Sequence, residues 1–531
     1  VASYADVVAA TLAEAGIEYI FGVPGSLSSV ELIEAASKRG IRYVLAGNES
    51  SAAVMAGVYG ALTNRPGVVS TGVGPGAAAA LHGAAIVHLE RDPVLFLTDR
   101  FGDEEYRHVP RQRIDQGAAF APLTKGAFTL HADDAAETMR RAIALTMSGR
   151  PGPVQIDLPY DLMQAEADPS QLAASHPHPD PLPQGRGNIE DIAAAIAEAR
   201  RPAVIVGLQV NRSGVEAEEA FTQLAEALGA PVFATLSAKG TLPEQHPLAA
   251  GTFRGTNAER VLLDQADLFV MVGFDPVEQF SPNAWPYKAP VVVLDETPPV
   301  GAAFEAAVEV IAPLAPALRA LSQVVRRAPG WNREDIEAYK KRRETAMQTP
   351  GETRLLPQAV IRIARQRLPD DGILTVDAGQ HKVLTSDLWE TRRRRGFLTS
   401  SGLGSMAVAI PAALGAKLVE PNAPVLCLTG DGGFLMRAGD LETAVRENLA
   451  IVIVVFNDKA LNMIKLQQDR QGYKRLGTSF AGSDFAAVAR GFGFEAATVH
   501  DEAALDAALT QAFAANRPWL IDAMIDPEGY V

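Results

Sequence analysis

Two acidic residues stand where an apolar run breaks into a turn. Val425-Leu426-Cys427-Leu428-Thr429 reads as a buried strand and ends in Gly430-Asp431-Gly432-Gly433. A helix over Asp440–Val445 is expected next, then a second apolar strand, Ile451 to Phe456, ending in Asn457-Asp458. Asp431 and Asp458, 27 positions apart, therefore sit at the mouths of two consecutive strands of one βαβ unit. Two hard oxygen ligands there, with a backbone carbonyl from the following loop, suit Mg²⁺ or Ca²⁺ holding a phosphate. The glycines around Asp431 let backbone N–H groups approach phosphate oxygens near a helix N-terminus. Gly-Asp-Gly alone is also an ordinary strand-to-helix turn. The helix, the second strand and the Asn-Asp pair at this spacing make the pattern specific.

The rest of the chain supplies elements of the same kind. Short β-branched runs alternate with Ala/Leu-rich helical runs, the pattern of parallel sheets covered by helices on both faces. Ala5 to Ala15 is expected helical and Tyr19-Ile20-Phe21 a strand, with further strands at Val68–Thr71 and Val94–Leu97. The middle has Ala203–Val206, Leu268–Val272 and Val291–Leu294; the last third adds Ile373–Val376. Two stretches read as linkers. Ala167 to Gly187 holds Pro169, Pro177, Pro179, Pro181 and Pro183, which remove backbone donors and hold their predecessors extended. Ala328 to Gly351 is bracketed by Pro329-Gly330 and Pro350-Gly351 around a charged surface helix with Lys340, Lys341, Arg342 and Arg343. The expected architecture is α/β: three open doubly wound domains over residues 1–166, 188–327 and 352–531. Strand C-termini in such sheets face the ligand crevice.

Composition narrows the partners. The 531 residues are 47% hydrophobic and 21% charged, which permits large cores. Forty-eight basic against 63 acidic residues give −15, a field that repels duplex nucleic acid and anionic membranes. The longest clean apolar run, Leu449 to Phe456, is far short of the roughly 20 residues needed to span a bilayer. The N-terminus carries no basic segment followed by an apolar one, so no signal peptide is expected and the protein is read as cytoplasmic. Cys427 is the single cysteine and reads as a core residue in mid-strand.

These motifs together resemble the acetolactate synthase-like branch of the thiamine diphosphate (ThDP) decarboxylase and carboligase family. The likeness runs through Phe21-Gly22-Val23-Pro24-Gly25, Glu49, Gly74-Pro75-Gly76, Gly152–Pro159, Asp377-Ala378-Gly379-Gln380-His381, Ser401–Met406 and Ile410–Ala413. The metal motif and Leu441–Val445 complete it. It implies pyrimidine-binding, central and diphosphate-binding domains, with ThDP and Mg²⁺ as cofactors. Asp431, Asp458 and the carbonyl of Ala460 would hold the metal. Gln380 and His381 would contact the diphosphate with the amides of Gly432 and Gly433. Met406 would wedge under the cofactor, the carbonyl of Gly404 would accept from its amino group, and Met463 would line the site. At the position of Asp458 the family more often has Asn, and Asp occurs in its catabolic branch.

The resemblance also places Glu49 at the pyrimidine ring, where a carboxyl shifts the tautomers needed for catalysis. By its residues alone, Gly47–Ser51 opens an Ala-rich helix whose dipole a first-turn Glu would complement. The family builds its site between subunits, so a homodimer or homotetramer is implied, with Glu49 from one chain facing Asp431 of another.

Substrate residues are less defined. Gln112 matches a pocket glutamine of acetolactate synthases and is assigned a catalytic-site role. Arg107, Arg111 and Arg113 could pair with a substrate carboxylate, or form a solvated loop with Asp103, Glu104 and Glu105. Ser26 after Pro24-Gly25 could line the pocket or be a turn serine. Gln467 stands where biosynthetic acetohydroxyacid synthases carry Trp. His82 and His88 read as partly buried helix residues, and His108 is the remaining acid/base candidate. The adjacent His-His pair of pyruvate decarboxylases is missing, which leans toward carboligation. FAD is not expected, because the flavin-branch pattern is incomplete in the middle domain. Gly72–Gly76 lacks the final glycine of a dinucleotide fingerprint, since Ala77 breaks the spacing. Arg392–Arg395 reads as a solvated loop or subunit contact rather than a nucleic-acid patch.

The expected activity is ThDP-dependent decarboxylation of a pyruvate-like 2-oxo acid with carboligation to a second carbonyl. Simple decarboxylation and 2-hydroxyacyl-CoA or acyloin cleavage are alternatives on the same cofactor. A catalytically inactive cofactor-binding subunit is a more distant one.

Overall fold

The computed structural model describes residues 2–172, 185–255, 257–279, 285–346 and 354–530. Eighteen named strands within them form three six-stranded sheets. The first contains β1 (Tyr19–Val23), β2 (Arg42–Leu45), β3 (Gly67–Thr71), β4 (Val94–Arg100), β5 (Ala127–Thr129) and β6 (Val154–Pro159), in the order β2-β1-β3-β4-β6-β5. The second contains β7 (Pro202–Val206), β8 (Val232–Ala234), β9 (Ala249–Thr252), β10 (Leu268–Val272), β11 (Val291–Asp295) and β12 (Ala306–Ile311), in the order β12-β11-β10-β7-β8-β9. The third contains β13 (Ile373–Val376), β14 (Phe397–Thr399), β15 (Val425–Gly430), β16 (Ile451–Asn457), β17 (Glu495–Val499) and β18 (Trp519–Met524), in the order β14-β13-β15-β16-β18-β17.

Every ladder in these sheets is parallel. Helices cover both faces of such sheets, so their central strands are apolar throughout rather than alternating. All seven residues of β16 are buried. The first and third sheets share one winding, which reverses between their first and third strands. That switch point opens a crevice at the strand C-termini. In the first sheet the loops after β1 and β3 flank it, and in the third the loops after β13 and β15 do. The motif Asp377–His381 and the glycines around Asp431 occupy the second pair of loops.

The chain forms two compact units. One holds residues 1–182 with the short segments 414–420 and 439–447; the other holds 183–413, 421–438 and 448–531. Within the first, Ser51 Oγ donates to Asp440 Oδ2 at 2.6 Å.

Several local expectations change. The helix expected over Asp440–Val445 is present as Leu441–Arg446, but a further helix, Asp431–Arg437, and a 3₁₀ turn over Ala438–Asp440 precede it. Asp431 thus belongs to the first helical turn rather than to a loop. The second linker is only partly a linker. Its helix, Arg333–Ala346, buries Ile336 and Tyr339, and with Trp331 these residues join the core of the second sheet. Its apolar face had been masked by the surrounding charges. The first linker's Pro177, Pro179, Pro181 and Pro183 lie outside the described residues, as do Pro350 and Gly351. The arginine run is tied down at both ends: Arg395 Nε meets the buried Glu218 at 2.7 Å with only 10% of its side chain exposed, and Arg392 pairs with the exposed Asp370. His82 is exposed and His88 half-buried on the helix Pro75–Leu89. Cys427 is buried, and burial pushes its thiol up, as for a core residue.

Candidate active site

The larger unit contains a cavity of about 230 Å³ at the switch point of the third sheet. Asp431, Asp458 and Ala460 line it, with Gln380 and His381 at the start of the helix Gln380–Leu388. Gly404, Met406, Gly432, Gly433 and Met463 complete the set expected for the cofactor end. The four stretches of sequence that contribute these residues, spread from Gln380 to Met463, meet because β14, β13, β15 and β16 are neighbours in the sheet.

The two carboxylates are tied to one backbone donor. The Ala460 amide lies 3.1 Å from Asp431 Oδ2 and 3.0 Å from Asp458 Oδ1. Asn462 Nδ2 donates to the other oxygen of Asp458. Burial pushes Asp431 up to about 7, with the charge of Asp458 adding to the effect. Burial likewise raises Asp458 to about 6, against the hydrogen bond from Asn462. Two partly desolvated carboxylates facing one space form a donor set that calls for a cation. Among the described residues no group of three His, Cys, Asp or Glu side chains surrounds a metal position. Backbone and phosphate oxygens would therefore have to supply the remaining ligands. Of the expected glycine donors, the Gly432 amide points to Asp431 Oδ1 at 2.7 Å rather than into the open cavity.

His381 is buried, stacks on Phe456 with ring centroids 5.2 Å apart, and leaves Nε2 without a partner. Burial, and then the charge of Lys382, pull its pKa down to about 4. A buried polar atom without a partner costs free energy unless a ligand satisfies it. The cavity therefore fits an anionic group bound through a cation.

The smaller unit carries the other expected residues. Glu49 is the first residue of the helix Glu49–Thr63, but it does not cap it. Asn48 Oδ1 takes the Ser51 amide instead. Glu49 is half-buried beside Gly76, and burial raises its pKa despite the helix N-terminus. Gln112 is exposed with φ of +60°, and its carbonyl backs Gly74. Gly74 has φ of +63°, and a Cβ there would lie 2.1 Å from that carbonyl oxygen. Gln116 Oε1 accepts from the Gly74 amide at 2.9 Å, while its Nε2 donates to Asp157 at 2.6 Å.

The substrate residues are not gathered into a described cavity. Ser26, Arg111 and Gln112 lie on exposed loops of the smaller unit, and Gln467 is exposed on the helix Asn462–Arg470 of the larger. The expected pairing of the loop arginines with Asp103–Glu105 is replaced. Asp103 pairs with Arg100, and Arg113 reaches the Tyr106 carbonyl and ring. His108 is exposed.

Three residues of these units were not singled out from sequence. Asn462 could have been found, because it follows Asp458 by four positions. Asp99 could also have been found, as a polar residue near the C-terminal end of β4. Tyr530 lines the cavity from a segment that carries no motif.

Three family models match the chain. "Thiamine pyrophosphate enzyme, N-terminal TPP binding domain" covers residues 2–119, the central domain 189–321, and the C-terminal TPP binding domain 377–523. A probable acetolactate synthase large subunit of Methanocaldococcus jannaschii is 30% identical over 98% of this chain and 92% of its own length. Acetolactate synthase isozyme 1 large subunit of Escherichia coli is 30% identical over 97% of this chain and 93% of its own. The catabolic acetolactate synthase of Raoultella terrigena is 29% identical over 98% and 95%. Among solved structures, a Rhodococcus jostii thiamine diphosphate-dependent 4-hydroxybenzoylformate decarboxylase superposes with a TM-score of 0.84 at 23% identity, over 99% of this chain and all of that one. The chain belongs to the thiamine diphosphate enzyme family, as an enzyme related to acetolactate synthase-like large subunits. Its three α/β domains are those of that fold, and thiamine diphosphate is its cofactor. Among the described residues, no helix is long and apolar enough to cross a membrane.

Proposed function

We propose that this enzyme decarboxylates a pyruvate-like 2-oxo acid and joins the resulting acyl unit to a second carbonyl, as acetolactate synthases do. The observation that carries the cofactor assignment is the raised carboxylate pair Asp431 and Asp458 on one amide, facing the unpartnered His381 Nε2. The leaning to carboligation rests on relatives named acetolactate synthase across nearly the whole chain.

Asp431, Asp458 and the carbonyl of Ala460 would hold Mg²⁺. His381, Gln380 and the Gly433 amide would bind the diphosphate that the metal neutralises. Met406, with Gly404 and Met463, would shape the cavity wall against the cofactor body. When bound, ThDP would supply the electron sink for the electron pair left on the 2-oxo carbon as the carboxylate departs as CO₂. Glu49, half-buried and with its pKa raised by burial, would meet the pyrimidine ring through its carboxyl group. Ser26, Arg111, Gln112 and Gln467 are assigned to the substrate side, where a guanidinium would receive a carboxylate.

The working assembly is a homodimer or homotetramer in which a second copy covers the cavity mouth. Exposed Leu435 and Met436 on the helix Asp431–Arg437, with exposed Met463 and Ile464 on the helix Asn462–Arg470, support this reading, since such apolar side chains mark contact surfaces. The compartment consistent with this chemistry is the cytoplasm.

The test is direct. Purified protein receives ThDP, Mg²⁺ and a panel of 2-oxo acids led by pyruvate, and products are identified by proton NMR against a cofactor-free control. Acetolactate is expected. Free aldehyde would replace this reading with a simple decarboxylase. Turnover only of acyl-CoA or acyloin substrates would replace it with a lyase, and no turnover of any of these would leave a cofactor-binding subunit.

A further inference from the structure

The segment after β18 lies beyond the stretch matched to the family, which ends at residue 523. It is nonetheless a firmly built part of the larger unit. The Asp526 amide donates to the Leu355 carbonyl at 2.9 Å, and Arg354 pairs with both Asp526 and Glu528. Asp526 Oδ1 caps the 3₁₀ turn Pro527–Gly529 through the Glu528 amide at 2.9 Å. Gln358 Nε2 donates to the Gly529 carbonyl, and a Cβ on Gly529 would lie 2.7 Å from both Gln358 Oε1 and Pro357 Cδ. The Tyr530 amide closes the turn on the Pro527 carbonyl at 3.0 Å. This clamp delivers the Tyr530 ring, 5% exposed, to the wall of the cavity that holds Asp431, Asp458 and His381. A phenol is a single O–H donor on a rigid ring and suits an anion held beside a cation.

We propose that Tyr530 is a cofactor-contacting residue whose hydroxyl donates to the phosphate group bound between the metal position and His381. The inference rests on the ThDP reading of this cavity and adds a donor from beyond the residues matched to the family's C-terminal domain model.

The experiment is calorimetric titration of the cofactor-stripped protein with ThDP, and separately with inorganic pyrophosphate, each in excess Mg²⁺. Tyr530→Phe should weaken both by roughly tenfold, the loss of one charge-assisted hydrogen bond, with an unchanged melting temperature of the stripped protein. Equal weakening of both probes places the contact on the diphosphate. Affinities within about twofold of wild type for both probes would overturn the proposal. If Tyr530→Phe fails to fold, a 3-fluorotyrosine label at position 530 of the otherwise unchanged chain replaces it. Its ¹⁹F resonance should move on adding Mg²⁺ and pyrophosphate, and a static resonance overturns the proposal. A wild-type protein that binds pyrophosphate but not ThDP, with the Tyr530→Phe loss intact, removes the ThDP reading and leaves the phosphate contact standing. Binding of neither probe removes both.

Discussion

Asp431 and Asp458 share one backbone donor, the Ala460 amide, so two carboxylates from consecutive strand ends are held together against their mutual repulsion. Burial raises the pKa of both acids, and at Asp431 the charge of Asp458 adds to that cost. A cation removes it.

The first prediction follows from the different surroundings of the pair. Asp431→Ala should weaken Mg²⁺-dependent ThDP binding by more than about a hundredfold, since it removes a charged ligand. Asp458→Asn should cost less than about tenfold, because the amide oxygen can still take the Ala460 N–H and reach the metal. Calorimetric titration with ThDP at fixed Mg²⁺ distinguishes them; equal losses would contradict the assignment.

Glu49 gives the second. Asn48 already caps its helix, so Glu49→Gln should leave the melting temperature within a few degrees of wild type. Turnover should fall by at least about a hundredfold, with ThDP binding retained. Rates like those of wild type would take Glu49 out of the mechanism.

Neighbouring glycines should respond differently to Ala. A Cβ on Gly433 would stand 2.0 Å from the buried Asp377 Oδ2, which is fixed by Thr429 and the Val408 amide. Gly433→Ala should therefore lower folding stability and yield. A Cβ on Gly432 meets side-chain ends, those of Leu461 at 2.8, Met406 at 2.9 and Phe480 at 3.5 Å. Gly432→Ala should keep the fold and displace Met406, so that cofactor affinity falls while the melting temperature holds. Circular dichroism melts and titrations on both variants check this contrast.

A pH prediction concerns Asp99. Burial raises its pKa from 3.8 to about 6, although Ser29 Oγ donates to it at 2.7 Å. Between pH about 4 and 6 the folded chain keeps a proton that the unfolded chain releases, so stability falls as pH rises through that window. The loss is on the order of 3 kcal/mol in total. Asp99→Asn removes the titration. Its melting temperature relative to wild type should therefore climb from pH 4 to pH 7, and a flat difference would show that Asp99 does not titrate there.

Gln116 bridges Asp157 and the Gly74 amide beneath the Gln112 loop. Gln116→Leu should cost about 1–3 kcal/mol for the groups it strands. It should also raise the KM of the preferred 2-oxo acid through the loop it supports. An unchanged KM would separate that loop from substrate.

The strands and the cofactor motif were legible from the residues. Continuous apolar runs such as Ile451–Phe456 can only be buried on both faces, and their ends mark where polar residues become reachable. The Asp431 and Asp458 pair was legible for the same reason, because strand periodicity places both at one edge. The helix onset at Asp431 was missed because its three glycines speak for a turn, while the packing of Phe434 starts the helix earlier. The buried face of Arg333–Ala346 was hidden by its Lys and Arg residues. Periodicity cannot tell whether Ile336 and Tyr339 have a core to enter. Tyr530 carries no local signal, since its role arises from residues some 70 to 170 positions away. What the sequence determined by itself was therefore the list of elements and the chemistry at their ends, both set by short-range pattern. What only the tertiary structure decided was which polar groups share a donor, which stay unpartnered and which residue from outside the motifs faces the cavity, because those depend on packing between distant segments.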